Sequence, residues 1–254
     1  MCRMLLALGN FETAALIDDF KILARDQNER HEENATGVCL HEHGWGIIYE
    51  EKNELKFYKS PNACFRDDQF KQFQALNTSF LVLHARRNTK GVTGYNNSHP
   101  FWQQLNGQPV AFCHNGTIYD QFTYAEKFQP LSTVDSEYYF SHILTHLVPH
   151  NPVQSYLQII QSIENYSSLN SFLIQQDHIL VVNKYKINPN YYTMKMSVSE
   201  ESILICSEVL PGFKERQWKK LANNTLIELN RRGYNWNYQK WDIPNLETNP
   251  APQA

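Results

Sequence analysis

The sequence predicts an α+β fold in which β-sheets carry helices on their outer faces, within one domain. Short apolar runs bounded by turn residues indicate buried strands, and apolar residues at helical spacing indicate helices. Their order along the chain is one helix, several strands, two helices and several more strands. Because no internal repeat or linker-like change of composition interrupts this order, we expect one domain at residues 2–242 and a disordered, Pro/Asn-rich tail at 243–254.

The individual elements follow from local patterns. Ala15, Leu16, Phe20, Leu23 and Ala24 recur at helical spacing and predict a first helix. Apolar runs of strand length predict strands at 44–51, 54–60, 79–87, 108–116, 191–198, 202–209 and 224–231, and a hairpin at 170–185. Helical patterns predict two further helices at 135–147 and 152–166.

Composition and charge argue against several classes of protein. The formal net charge is -3, and Lys and Arg are spread along the chain, which argues against an electrostatic nucleic-acid binder. The apolar start is too short for a signal peptide, and no apolar run approaches a membrane span. Five scattered cysteines without a CxxC pair indicate reduced thiols in a cytoplasmic protein. The histidine spacing fits no established zinc pattern, so we expect neither a metal nor another cofactor.

Cys2 is the first candidate for chemistry. Chain ends usually fray, so a nucleophilic side chain there is either accidental or placed for a reason. A thiol at a mature N-terminus has the free α-amine as its own base, with a pKa of about 7.7–8.0. This interpretation requires removal of Met1. The alternative is a chance cysteine under the first strand.

A strand that ends in Arg86 leads into a Gly-rich polar loop that reaches His99 and Pro100. The guanidinium fork of arginine can hold a carboxylate through two parallel hydrogen bonds, which lysine cannot reproduce. We therefore predict that Arg86 binds substrate, with His99 as a second candidate. The alternative is a surface pair, Arg86 and Arg87, beside a flexible loop.

Two further segments have both a structural and a functional interpretation. Asn115-Gly116 between apolar runs is a strong hairpin signal, but an Asn amide and a Gly N–H also suit an oxyanion hole. Asp135 stands at a helix start, and Ser132-x-x-Asp135 fits a capping pattern. Its carboxylate would also accept a substrate ammonium.

Taken together, these segments resemble the class II glutamine amidotransferases, which are N-terminal-nucleophile hydrolases. The similarity extends over nearly the whole chain and rests on several motifs in the right order: MCR at the start, HGWGI, HARRNTKG with NNSHPF, HNGTI, VDSE and CSEVL. Arg87 and Asn88 depart from the residues that many members have next to the substrate loop.

The resemblance implies a four-layer αββα sandwich, with two facing antiparallel sheets and helices outside. It implies that Cys2 is the nucleophile and, through its amine, the general base. Asn115 and Gly116 would form the oxyanion hole, Arg86 would bind the α-carboxylate of glutamine, and Asp135 its α-ammonium. The expected substrate is therefore glutamine or another γ-glutamyl compound.

Alternatives remain open at this stage. The chain is either an amidohydrolase or a non-catalytic member of the fold that binds a partner. As an enzyme, it either hydrolyses γ-glutamyl compounds alone or passes ammonia to a separate synthase. A homo-oligomeric partner is a further expectation, whereas nucleic acid and membrane are not expected partners.

Overall fold

The computed structural model describes residues 2–29, 37–88 and 92–244 of the chain. The helices in these ranges are α1 (Thr13–Ala24), α2 (Asp68–Gln72), α3 (Asp135–His146), α4 (Pro152–Gln161) and α5 (Pro189–Tyr192). Short 3-10 helices lie at Phe73–Ala75, Glu126–Phe128 and Pro211–Phe213. The strands are β1 (Cys2–Gly9), β2 (Trp45–Glu51), β3 (Glu54–Ser60), β4 (Phe80–Arg86), β5 (Phe101–Leu105), β6 (Gln108–Asn115), β7 (Asn170–Ile174), β8 (His178–Asn183), β9 (Lys195–Val198), β10 (Ser202–Cys206), β11 (Trp218–Lys220), β12 (Thr225–Arg232) and β13 (Asn235–Asp242).

The strands form two sheets in which neighbouring strands pair antiparallel. The first sheet has the order β11-β9-β10-β1-β4-β2-β3, and the second has the order β13-β12-β8-β7-β6-β5. The first strand of the chain therefore lies in the middle of its sheet, between β10 and β4. An isolated strand would fray, but residues 2–8 of this strand pair with β4 and residues 5–9 pair with β10, so the strand is held within the sheet.

Three buried apolar clusters separate four layers. One cluster fills the space between the two sheets and includes Met4, Leu6 and Leu8 from β1. A second lies between the first sheet and α1, and a third lies between the second sheet and the helices α3 and α4. The α+β prediction, with two facing antiparallel sheets and helices outside, is confirmed.

Strand β1 shows how the sequence produces these layers. Alternate side chains of a strand point to opposite faces of its sheet. Accordingly, Met4, Leu6 and Leu8 face the second sheet, whereas Leu5 and Ala7 pack in the cluster that contains the buried face of α1. A strand buried on both faces contains a continuous apolar run, as residues 4–8 do, and the one charged residue of β1, Arg3, is paired with Glu208.

The hairpin predicted at Asn115-Gly116 was wrong. Strand β6 ends at Asn115, and its neighbours are β5 and β7 rather than the segment that follows it. The Asn-Gly pair that does join two strands is Asn106-Gly107, between β5 and β6, where both residues have positive φ. Two-residue hairpin loops require that conformation, so the same signal applies to the earlier pair.

Parts of two other predictions lie outside the described residues. Of the tail predicted at 243–254, only residues 243 and 244 are described. The polar loop that precedes His99 includes residues 89–91, which are also not described. Within the described ranges, no helix is both long and apolar enough to cross a membrane.

Candidate active site

Cys2 begins the central strand of the first sheet and lines a cavity of about 380 Å³. It pairs directly with Arg86 across the ladder between β1 and β4. Residues that are directly opposite in an antiparallel pair project from the same face, with Cβ atoms about 4.5–5.5 Å apart. The thiol and the guanidinium therefore emerge side by side into one cavity. Only 6% of the Cys2 side chain is exposed.

The thiol of Cys2 is far more acidic than those of the other buried cysteines. Burial alone raises a thiol pKa, but the charge of His84 and a hydrogen bond from the backbone of Arg87 contribute to lowering the pKa of Cys2 to about 6. Burial raises the pKa of Cys64 and Cys206 to about 12. The thiolate, which is the nucleophilic form, is thus favoured at Cys2.

Asn115 joins the two sheets at the nucleophile. It ends β6 of the second sheet, and its Oδ1 accepts a hydrogen bond of 2.6 Å from the Cys2 nitrogen. An Asn side chain has one acceptor oxygen and one NH₂ group. Because the oxygen faces the Cys2 nitrogen, the Nδ2 hydrogens are the donors that remain for a substrate oxygen.

Gly116 has space for no side chain. A Cβ at this position would lie 1.9 Å from the backbone oxygen of Ser168 and 2.9 Å from Nε2 of His114. Glycine is therefore required where the chain leaves β6 and enters the cavity wall. Gly116 follows Asn115 directly and lines the same cavity as Cys2, so the predicted pair of oxyanion donors is adjacent in the chain.

Arg86 is held by its backbone and keeps its side chain at the cavity. Its N–H donates to Gly44 O at 2.8 Å, and its carbonyl accepts from His43 N at 3.0 Å. The side chain is 5% exposed and forms no carboxylate pair within the described ranges. Burial lowers the pKa of Arg86, and Cys2 and Asp135 partly offset this effect. A buried cation without a paired anion favours binding of a carboxylate ligand.

Asp135 is the first residue of α3, but the predicted capping by Ser132 and Asp135 was wrong. Val134 occupies the N-cap position without a side-chain hydrogen bond, and Glu137 instead accepts the Ser132 N–H at 2.5 Å. One carboxylate oxygen of Asp135 accepts the Ile118 N–H at 2.6 Å. The helix N-terminus favours negative charge, so this position in the cavity wall suits a carboxylate.

His99 is placed in the cavity by two glycines of the HGWGI motif. A Cβ on Gly46 would lie 2.0 Å from the backbone oxygen of His99, and a Cβ on Gly44 would lie 2.2 Å from Oγ of Ser98. The His99 ring packs on that of His84, with centroids 4.0 Å apart. Burial, and then the charge of His84, hold the pKa of His99 well below its usual range, so the ring is neutral.

The six residues singled out from the sequence thus line or adjoin one cavity, and their roles remain predictions. Sequence reasoning gave no role to two buried histidines, His84 and His114. It considered these two only as candidate zinc ligands. His114 bonds Ser136 Oγ at 2.8 Å and Ser168 O at 3.1 Å, so both of its ring nitrogens are engaged. A signal was available, because each lies inside an apolar strand run. Among described residues, no group of three or more His, Cys, Asp or Glu could hold a metal ion.

Comparison with known families decides which fold family this site belongs to. Residues 1–172 match the family described as the class II glutamine amidotransferases. The chain belongs to the class II glutamine amidotransferases. An uncharacterized protein of Methanocaldococcus jannaschii is 23% identical over 74% of this chain and 61% of its own length. The Escherichia coli protein YafJ, whose name assigns it provisionally to the glutamine amidotransferases, is 30% identical over 46% of this chain and 48% of its own length.

Solved structures agree with the fold of this class II amidotransferase. A glutamine phosphoribosylpyrophosphate amidotransferase of B. subtilis superposes with a TM-score of 0.66 at 14% identity, over 96% of this chain and 49% of that one. A glutamine aminotransferase class-II domain protein of Silicibacter pomeroyi superposes with a TM-score of 0.61 at 14% identity, over 95% and 99% of the two chains. The amidotransferase chain therefore spans about half the length of some relatives and nearly all of another.

Proposed function

We propose that this chain hydrolyses the side-chain amide of glutamine or of another γ-glutamyl compound through a thioester on Cys2. The observation that carries the proposal is the meeting of three groups at one cavity: the acidic thiol of Cys2, the guanidinium of Arg86 opposite it, and the amide of Asn115 on the Cys2 nitrogen. They provide a nucleophile, a carboxylate site and an oxyanion donor. The cavity, at about 380 Å³, has the size of a small-ligand site.

Substrate would bind by its two charged ends. In this proposal Arg86 holds the α-carboxylate and Asp135 holds the α-ammonium, with His99 as part of the same wall. A site that hydrogen-bonds both ends rejects analogues that lack either group, because the buried partner is then left unpaired. The expected substrates are therefore glutamine and other γ-glutamyl compounds, because they have both charged groups and place the γ-acyl group at Cys2.

The reaction then proceeds in two steps. The Cys2 thiolate attacks the γ-carbonyl carbon, and Nδ2 of Asn115 with the N–H of Gly116 stabilises the tetrahedral oxyanion. The C–N bond breaks as the protonated α-amine of Cys2, freed by removal of Met1, donates a proton to the leaving ammonia or amine. Water then attacks the thioester carbonyl, the neutral amine takes a proton from that water, and the C–S bond breaks to release the product acid and the Cys2 thiolate.

We further propose that residues 2–242 form the catalytic domain. The αββα layers use strands from β1 to β13, so both ends of this range contribute to the same two sheets. Ammonia release measured with and without a synthase subunit and its acceptor would distinguish free release from transfer. The mouth of the cavity, where Arg87 and Asn88 lie, is the region that would determine the choice of leaving group.

The experiment combines intact mass with substrate turnover. The protein is incubated with a diazo-ketone analogue of glutamine, and ammonia release from glutamine is measured in parallel. We expect a mass without Met1, one adduct that maps to Cys2, and ammonia release that the adduct abolishes. Cys2→Ser should remove the adduct.

Retention of Met1, or a processed protein that neither labels nor releases ammonia, would contradict the proposal. The second result would support a non-catalytic role for the fold. Cys64→Ser is the matched control, because this buried thiol lies outside the cavity and should not affect labelling.

A further inference from the structure

His84 lies beside the nucleophile, but the mechanism above gives it no task. It pairs with Met4 in the ladder between β1 and β4. Arg86, two residues later on β4, pairs with Cys2, two residues earlier on β1. His84 and Cys2 are therefore diagonal neighbours on the same face of the sheet. Diagonal neighbours are about 7–8 Å apart at the backbone, within reach of long side chains. The His84 side chain is fully buried.

The hydrogen bonds of His84 determine which ring nitrogen is free to act as a base. Its Nε2 lies 3.1 Å from the backbone oxygen of His114. A carbonyl oxygen only accepts, so Nε2 carries the hydrogen and Nδ1 of the neutral ring carries a lone pair. This Nδ1 is buried and has no hydrogen-bond partner among the residues that the structure describes. A buried acceptor without a donor is costly, and the adjacent S–H is a donor.

We propose that His84 accepts the thiol proton of Cys2 through Nδ1, so that the nucleophile is a thiolate paired with an imidazolium. The assignment of a catalytic purpose to this pair rests on the proposed function. The S–H bond breaks, its electron pair stays on sulfur, and the proton moves to Nδ1. The thiolate then forms the S–C bond to the γ-carbonyl carbon.

The two basic groups beside the thiol, His84 and the α-amine of Cys2, therefore have different roles. His84 activates the thiol, and the α-amine of Cys2 is left in its ammonium form, ready to protonate the leaving nitrogen. After hydrolysis of the thioester, the imidazolium returns its proton to the sulfur. Protons and charges balance over the cycle without a further reactant.

The surroundings of the pair are consistent with this charge distribution. The titratable and charged groups that face it are the N-terminal amine, Arg86 from β4, Cys113 and His114 from β6, His99 next to β5, Lys59 from β3, Asp135 from α3 and Tyr191 from α5. His99, which stacks on His84, is neutral because burial lowers its pKa, so it adds no positive charge next to the imidazolium. Burial would raise the pKa of Cys2, and the charge of His84 is the largest influence that lowers it.

Alkylation as a function of pH tests the proposal without any substrate. Iodoacetamide labelling of Cys2 is followed by mass spectrometry in the wild-type chain, His84→Gln and His84→Asn. The glutamine variant keeps a donor for the His114 carbonyl but has no Nδ1 base. We expect the midpoint of labelling near pH 6 in the wild type and at least one unit higher in both variants, which slows labelling at pH 6 by about fivefold or more.

Two controls distinguish this role from a structural one. His178→Gln removes a half-buried histidine on β8 that is paired with Glu228, and its profile should match the wild type. A chain that keeps Met1 has no α-amine on Cys2, but should retain the low midpoint. If the His84 variants fail to fold, the titration of the His84 ring is followed by NMR in the wild type and in Cys2→Ser, where it should differ.

An ordinary thiol midpoint in the wild type would overturn the inference. An unchanged midpoint in folded His84 variants, or identical His84 titration with and without the thiol, would also overturn it. These outcomes are independent of turnover. A low midpoint in a chain that releases neither ammonia from glutamine nor an amine from other γ-glutamyl compounds would contradict the proposed function alone.

Discussion

Replacing Gly46 by alanine tests how the site is assembled. The added Cβ would lie 2.0 Å from the His99 oxygen and 2.6 Å from Cδ of Pro100, where ordinary contact begins at 3.4 Å. Strand β2 cannot recede, because Gly46 is paired on both sides, with Lys59 and with His84. The segment that carries His99 must therefore move by more than 1 Å.

The magnitude follows from these distances. Inserting a methyl group into a closely packed site costs about 1–3 kcal/mol. For a chain of this size, that cost lowers Tm by roughly 2–12 °C. A displacement of about 1 Å at a catalytic site can reduce the rate by about 10²-fold. We therefore expect Gly46→Ala to lose both stability and labelling of Cys2 by the diazo-ketone.

The assay compares Gly46→Ala with Gly94→Ala. An added Cβ at Gly94 meets no atom within 4 Å, and this glycine does not require positive φ. Thermal unfolding and the rate of Cys2 labelling are measured for both variants. Equal Tm values and equal labelling rates would refute the reasoning, since the close approach would then have no effect on the site.

Three further predictions concern other parts of the molecule. Asn115→Ala removes the Nδ2 donor and should lower kcat for ammonia release by about 10²–10³-fold; a loss below tenfold would argue against an oxyanion role. Burial holds the pKa of His41 and His99 well below the usual value, so the unfolded chain takes up protons below about pH 6.5 that the folded chain does not. Their contribution to the free energy of unfolding is constant above that pH and is lost as the pH falls through it. Tm should therefore drop between pH 7 and 5. A flat profile of Tm against pH would contradict burial of the two rings in their neutral form. Glu208→Ala removes the carboxylate 2.6 Å from the buried Arg3 and leaves, among the described residues, only the more distant Asp26, at 3.8 Å, so it should cost up to about 3–5 kcal/mol by urea denaturation. A loss below about 1 kcal/mol would indicate that Asp26 replaces the lost partner.

Patterns that depend on local periodicity could be predicted from the sequence. The α1 helix appears where Leu16, Phe20 and Leu23 recur at helical spacing, and all three are buried. Strands β4 and β6 appear where continuous apolar runs occur, and both are buried. Such patterns can be predicted because the spacing of apolar residues reflects which faces of an element are buried in a core.

Features set by distant parts of the chain could not be predicted in the same way. The Asn115-Gly116 pair has the composition of a hairpin turn, but the Gly116 backbone lies against Ser168, more than fifty residues away. The Asp135 carboxylate accepts from Ile118 rather than capping its own helix. In both cases tertiary packing decides between two locally acceptable uses of the same residues.

The candidate site itself was predicted from residue types and order, without its supporting contacts. Tyr191 on α5 donates to the carbonyl of Cys2 at 3.1 Å, and His41 lies 3.1 Å from the same hydroxyl. Neither contact has a local sequence signature, because the partners are separated by about 150 residues or more. The sequence therefore predicts the candidate reacting residues more readily than the residues, such as Tyr191, that position them.

The central position of β1 has a consequence for biosynthesis. This strand is synthesised about 200 residues before its partner β10, where Leu5 pairs with Cys206. At typical translation rates of about 5–20 residues per second, that interval is roughly 10–40 s. During this time residues 5–9 of β1 lack one neighbouring strand. The order of synthesis thus leaves a period, before this sheet is complete, in which the removal of Met1 that the proposed function requires can take place.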